Sequence, residues 1–146
     1  MRISGPTWKP NPPLNTFNPW KSSTLQLAEG KRWTITYGEG DSTKGDVGTD
    51  LVDIGGLVIQ DQAVELARDL SYHFSLVNFD GILGLGFPAI NMVTTTDGEH
   101  DPQPTLPVNM INQSDIPKEA ELFTSCFYDH LDHRNRKSFF TFGFID

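Results

Sequence analysis

"WTITYGEGDSTKGDVGTDLVDIGGLVI", residues 33 to 59, decides how this chain is read. Trp33, Ile35 and Tyr37 alternate with Thr34 and Thr36, the period of two expected of a half-buried strand. After glycine, charge and small polar residues, a second β-type run follows with Val47, Leu51, Val52, Ile54, Leu57, Val58 and Ile59. Gly48, Gly55 and Gly56 punctuate that run as bends or bulges. Its β-branched residues favour a strand continuing to about Ala67 over a helix. The two runs form a long hairpin, and its tip is longer than a chain reversal requires. Such a tip reaches over something.

Outward from the hairpin the chain stays β-rich. "TLQLA" points Leu25 and Leu27 inward. Residues 1–20 are rich in Pro and Asn and read as an irregular arm, with Trp8, Phe17 and Trp20 as anchors onto a body spanning 21–146. "FDGILGLGF", residues 79 to 87, carries three glycines in an apolar run, which suggests backbone packed closely on other backbone. A polar loop, "NMVTTTDGEHDPQPT", comes next, then a short helix starting after Pro107. "ELFTSCFYDH" and "KSFFTFGFID" read as a closing hairpin with a charged tip. The expected body is mainly β with one or two short helices.

The totals limit the function. A chain of 146 residues with 37% hydrophobic residues suffices for one domain with a core. Its net charge of -8 repels nucleic acid and anionic membrane, and no basic stripe offsets that charge. A single cysteine, Cys126, allows no internal disulfide and no Cys-rich metal site. The N-terminal stretch lacks the apolar core of a secretory signal, and its prolines disfavour a helix. The compartment stays open. "NQS", Asn112 to Ser114, matches a glycosylation acceptor that matters only in the secretory pathway.

Taken in order, "FNPWKSST", "ITYGEGDSTKGDVGTDLVDIGGLVI", "FDGILGLGF" and "FFTFGFID" resemble the pepsin-like aspartic endopeptidases, the fungal members most of all. Each piece alone is weak, but four in register cover residues 17 to 146. The resemblance implies a lobe of the double-psi barrel fold in which the hairpin is the flap that closes over a peptide. Tyr37 matches the flap tyrosine, and Gly38, Glu39, Gly40 and Asp41 match its tip, where the family usually carries Ser at the position of Asp41. Ile82, Leu83 and Gly84 match a structural segment lying beside the catalytic loop. The family hydrolyses peptide bonds with two aspartates, one per lobe, each in an Asp-Thr/Ser-Gly motif. They share a proton because two close carboxylates cannot both ionise, and they activate a water. Neither motif occurs in these 146 residues: "DST" at Asp41 lacks the glycine, and "TDG" at Asp97 has its threonine first. The expected fold is therefore an incomplete amino-terminal lobe, with no catalytic residue of its own and a core missing part of its cover.

Plainer readings stand beside the functional ones. Tyr37 fits a half-buried strand aromatic by alternation alone. Asp46, Asp50, Asp53 and Asp80 fit structural or solvated roles better than a replacement dyad, since Asp50 and Asp53 face opposite sides of a strand. His130 and His133, with Asp129 and Asp132, read as a solvated loop, with His73 and His100 suggesting no third metal ligand. Cys126 is expected buried and inert. No metal or cofactor is expected. Three accounts follow: a lobe inactive alone, whose partner is a peptide or protein substrate once the missing part is supplied; a peptide-binding or self-associating module using exposed strand edges; and a piece of a two-lobed protease.

Overall fold

The computed structural model describes residues 16–38, 40–75, 80–129 and 136–145. Trp8, Glu39, His130, Asp132 and His133 lie outside these residues, so the readings that rest on them stay at the level of sequence.

The opening stretch forms the hairpin its alternation implies. β1 (Gln26–Thr36) and β2 (Ser42–Ile54) pair antiparallel, with Trp33 opposite Gly45 and Thr36 opposite Ser42. Trp33 is buried while Thr34 and Thr36 are exposed, as a pleat with one covered face demands. "TLQLA" and "RWTIT" prove to be one strand, not two. Gly30, at φ +79, falls where the register shifts between Leu27 and Arg32, and the shift leaves Leu27 exposed rather than inward.

Gly55 and Gly56 do more than bend the second run. Both take positive φ, +59 and +92, and they reverse the chain between β2 and β3 (Leu57–Leu70). A two-residue turn with two positive φ values suits the right-handed twist of the flanking strands, and glycine adopts it without steric cost. Asp53 accepts the Gly56 N–H at 2.9 Å and closes the turn. Farther along, Asp61 at φ 48 marks a bulge that offsets Val52–Ile59 from Asp50–Gln62. A short β4 (Val93–Thr95) adds to β1, giving the order β3-β2-β1-β4. Sequence reading had placed those residues in a polar loop.

Two apolar clusters hold the sheet. Trp33, Val47 and Val93 form one, against Ala28 and Ile35. Ile59, Leu106, Met110 and Ile116 form the other, seating α1 (Leu106–Asn112) on the β2–β3 end with Val52, Ile54 and Phe142. Pro107 lies in the first turn of α1, where its missing N–H costs nothing. Polar bonds fix the helix in place: Asn109 donates to Gln62 at 3.0 Å, and the Gln113 amide both accepts from the Gln60 N–H and donates to its carbonyl. Gln113 thereby occupies backbone groups on the outer edge of β3, which blunts it against further pairing.

The closing hairpin is present as β5 (Phe123–Cys126) and β6 (Phe139–Phe142), a separate two-stranded sheet. Several expectations fail here and nearby. Phe17 and Trp20 are exposed, Trp20 at 71%, and do not anchor on the body. Cys126 is half-buried, not buried, and it hydrogen-bonds Tyr128, which pushes the phenol pKa up. In the 79–87 stretch no atom approaches the position of a Cβ on Gly81 or Gly84, so these two glycines are not there for close backbone packing. Among the described residues seven hydrophobic side chains are buried and seventeen large ones are exposed, so this core leaves much apolar surface uncovered.

Candidate functional site

The tip of the β1–β2 hairpin concentrates more specific interactions than its length suggests. Tyr37 donates its N–H to the Asp41 carbonyl at 2.7 Å, and Gly40 donates to the Tyr37 carbonyl at 2.9 Å. Gly40 sits at φ +87, a left-handed position that glycine adopts readily, just before the chain returns at Asp41. The loop projects Tyr37 and Asp41 toward the end of β3 and the turn after it, Tyr72–Ser75.

Asp41 is the centre of this contact. Its Oδ1 accepts from the Ser71 hydroxyl at 2.7 Å, and its two oxygens lie 2.9 and 3.0 Å from His73 Nδ1. The Ser71 bond, and then His73, hold the Asp41 carboxyl below its ordinary pKa against the opposing effect of desolvation. The backbone adds a tie, with the Ser71 N–H donating to the Ser42 carbonyl at 2.9 Å. The Tyr37 ring meets Phe74 edge to face at 5.4 Å, a favourable aromatic geometry. Burial, and then the negative charge of Glu65, raise the Tyr37 pKa, so the phenol keeps its proton throughout the acid and neutral range.

Glu65, on β3, is itself raised by burial, with the Asn91 side-chain amide donating to it at 2.7 Å and acting in the opposite direction. Asn91 also accepts the backbone N–H groups of Val93 and Gln103, each at 3.1 Å, and its carbonyl lies 2.6 Å from His100 Nε2. One asparagine thus joins β3, β4 and the segment up to residue 103. Ser71, Phe74, Glu65 and Asn91 were not singled out from sequence, and His73 was considered only as a metal ligand. Their partners lie 26 to 37 residues away, and no periodic pattern signals such pairings.

Tyr37, Gly38, Gly40 and Asp41 therefore lie together at one tip, and Glu39 between them is outside the described residues. Ile82, Leu83 and Gly84 are elsewhere, in an irregular exposed segment, and neither Ile82 nor Leu83 joins either apolar cluster. The scouted carboxylates have structural partners. Asp46 pairs with Arg68 and, at 3.5 Å, with Arg32. Asp50 accepts from Ser22 at 2.8 Å, from Thr24 and from the Leu51 N–H. Burial pushes the Asp50 pKa up, but these bonds outweigh it and leave the value lowered. Asp53 closes its turn, and Asp80 is exposed. Among the described residues no group of three or more His, Cys, Asp or Glu could hold a metal ion.

Comparison with known proteins covers most of the chain. A family sequence model described as "Eukaryotic aspartyl protease" matches residues 12–146. Endothiapepsin of Cryphonectria parasitica is 35% identical over 131 residues, 89% of this chain and 28% of that protein. Rhizopuspepsin-1 of Rhizopus niveus is 45% identical over 86 residues, 59% of this chain and 21% of that protein. The crystal structure of an aspartic proteinase from Irpex lacteus superposes with a TM-score of 0.69 at 26% identity, covering 91% of this chain and 38% of that one. The chain spans about a quarter of the length of these curated relatives.

Proposed function

Since the chain belongs to the eukaryotic aspartyl protease family, we propose that it provides the flap-bearing part of an acid endopeptidase lobe and cleaves no peptide bond by itself. The observation that supports this reading is a well-paired hairpin, at the position the family resemblance gives to the flap, in a sequence with no Asp-Thr/Ser-Gly motif. Peptide hydrolysis by this chemistry needs two carboxylates on one water, one ionised to take its proton and one protonated to donate to the carbonyl oxygen. A chain supplying neither can still shape the cleft. Tyr37, Gly38, Glu39, Gly40 and Asp41 would lie over a bound peptide. A tight loop there offers the backbone N–H and C=O groups of an extended strand, which suits an extended peptide.

The test is an acid-range assay, pH 2 to 6, on a mixed peptide library. The chain alone is expected to give no turnover that a transition-state peptide inhibitor blocks. Joined with a polypeptide supplying both Asp-Thr/Ser-Gly strands, as in a fungal pepsin lacking the corresponding segment, it is expected to give inhibitor-sensitive cleavage. Inhibitor-sensitive turnover by the chain alone overturns the reading.

A second reading is supported by a separate observation. β5 and β6 pair only with each other among the described strands, and Phe127, Phe140, Phe144 and Ile145 are exposed beside them. A two-stranded sheet is marginal alone, and strand addition by a second copy would extend it. Sedimentation over a hundredfold range of concentration decides this: a shift to dimers or larger species supports it, and a compact monomer throughout counts against it.

A further inference from the structure

We infer that Asp41 is a positioning residue that clamps the hairpin tip, and with it Tyr37, onto the turn beginning at Ser71, with a strength set by protons. The inference rests on the flap reading above for its functional meaning, but the clamp itself is a matter of this chain's geometry.

Three ties converge where one residue of a hairpin loop ordinarily makes none. The Ser71 hydroxyl and His73 Nδ1 both reach the Asp41 carboxylate, and Phe74, next in the same turn, receives the Tyr37 ring. A serine at position 41 would have one rotatable hydroxyl. It could not accept from Ser71 and His73 together in the two-oxygen geometry that a carboxylate provides. The place of Tyr37 follows from Asp41, whose carbonyl accepts the Tyr37 N–H at 2.7 Å.

The clamp depends on the charge of Asp41, because a carboxylate accepts from both donors at once. Because the folded state lowers the Asp41 pKa, the carboxylate form persists to more acidic pH than in an unfolded chain. The tie is present above the ordinary aspartate range and is lost as pH falls through the lowered value. Among the described residues, other titratable groups lie near the clamp. Glu65 on β3 lies near Tyr37, the Lys44–Asp69 pair bridges β2 and β3 at 3.7 Å, and Tyr72 stacks beside His73. Lys44 and Asp69 are both largely exposed and offset one another, so they contribute little gradient across the clamp. The result is a tip held while Asp41 is ionised and released as pH falls through its lowered value.

Amide exchange and side-chain NMR on the full chain test the clamp from pH 3 to 8. The wild type is expected to show the Tyr37 and Phe74 ring signals moving together as acidification protonates Asp41. Asp41→Ser should speed exchange of the Gly40 and Tyr37 amides about tenfold in mild acid. Asp41→Asn keeps an acceptor for Ser71 and should restore slow exchange while abolishing the pH response, which a purely structural role would not do. His73→Gln, at an exposed position, supplies a second variant if Asp41→Ser fails to fold, and it should lower the protection of the same amides by removing the imidazole tie. Ring signals indifferent to pH in the wild type, or an unchanged pH response in Asp41→Asn with unchanged amide protection in His73→Gln, overturn the clamp. Failure of the complemented protein to cleave peptides, with these signals intact, overturns only the flap reading.

Discussion

The four-stranded sheet and the segment from Asp80 to Met92 are built from similar residues and end in opposite states. In the sheet, Trp33, Val47, Ile59 and Val93 are buried, and turns, bulges and side-chain amides satisfy the strands. In the segment, Ile82, Leu83, Phe87 and Ile90 are exposed, Phe87 at 82%, and a Cβ on Gly81 or Gly84 would meet nothing. The difference teaches that apolar composition specifies burial only where a partner surface arrives. The sheet supplies its own partner through hairpins of short sequence separation. The segment has none among the described residues, and so it presents an apolar face.

The comparison breaks first, and most strongly, in the core. Met110→Ala removes a fully buried side chain between α1 and β3 and should cost about 2–5 kcal/mol, because the lost transfer energy is joined by a cavity. Ile82→Ala, chemically a similar truncation, should change stability by less than about 0.5 kcal/mol, because the side chain is already in water. Urea midpoints of the two variants, measured together, decide the matter. Equal losses would mean that the segment is packed in solution and that the contrast between the regions is false.

Glycines give the next sharpest contrast. A Cβ on Gly45 would run into the Leu66 carbonyl oxygen of the neighbouring strand, so Gly45→Ala should destabilise by about 1–3 kcal/mol as β2 and β3 are forced apart. Gly84→Ala meets open space at an ordinary φ, and should stabilise by about 0.4–1 kcal/mol through a stiffer unfolded chain. Thermal midpoints of the pair would read opposite signs. A loss at Gly84 would show that something does lie over it.

That pair also marks where sequence reading works. β1, β2 and β3 were legible because Trp33, Ile35 and Tyr37 alternate and because strand periodicity is a local property. Gly55 and Gly56 were visible as punctuation, but whether two glycines bend or reverse a strand depends on φ values that the sequence does not print. Glycine density at residues 81–86 was misread because close packing needs a second backbone, and no local pattern reports whether one is present. β4 was lost in a polar loop since three residues carry too little periodicity. At the tip, the family resemblance located Tyr37 and Asp41, while their partners Ser71, His73 and Phe74 came only from the three-dimensional arrangement. Polar pairs across thirty residues are chemically specific and statistically silent.

The smallest effect concerns the join between the two regions, and protons report on it. Asp50 ties β2 to Ser22 and Thr24 just before β1, and its lowered pKa means that it stabilises the fold above the unfolded aspartate range; this is lost as pH falls through the folded value. Glu65 has the opposite sign. Burial raises its pKa, so the folded state holds its proton more tightly than the unfolded chain does. Its contribution is most favourable below the unfolded glutamate range and declines as pH rises through the raised value. What limits that rise is Asn91, at the end of the open segment, whose amide donates to the carboxylate at 2.7 Å. Glu65→Gln should therefore raise the urea midpoint at pH 7, by an amount on the order of 1 kcal/mol, and leave it unchanged near pH 3. Asn91→Ala should deepen the wild-type decline toward neutral pH, because the ionised Glu65 then loses its donor, and combining both changes should cancel that extra decline. If Asn91→Ala leaves the pH dependence of stability as it was, the segment does not lean on the sheet through this bond, and the two regions are more independent than their hydrogen bonding implies.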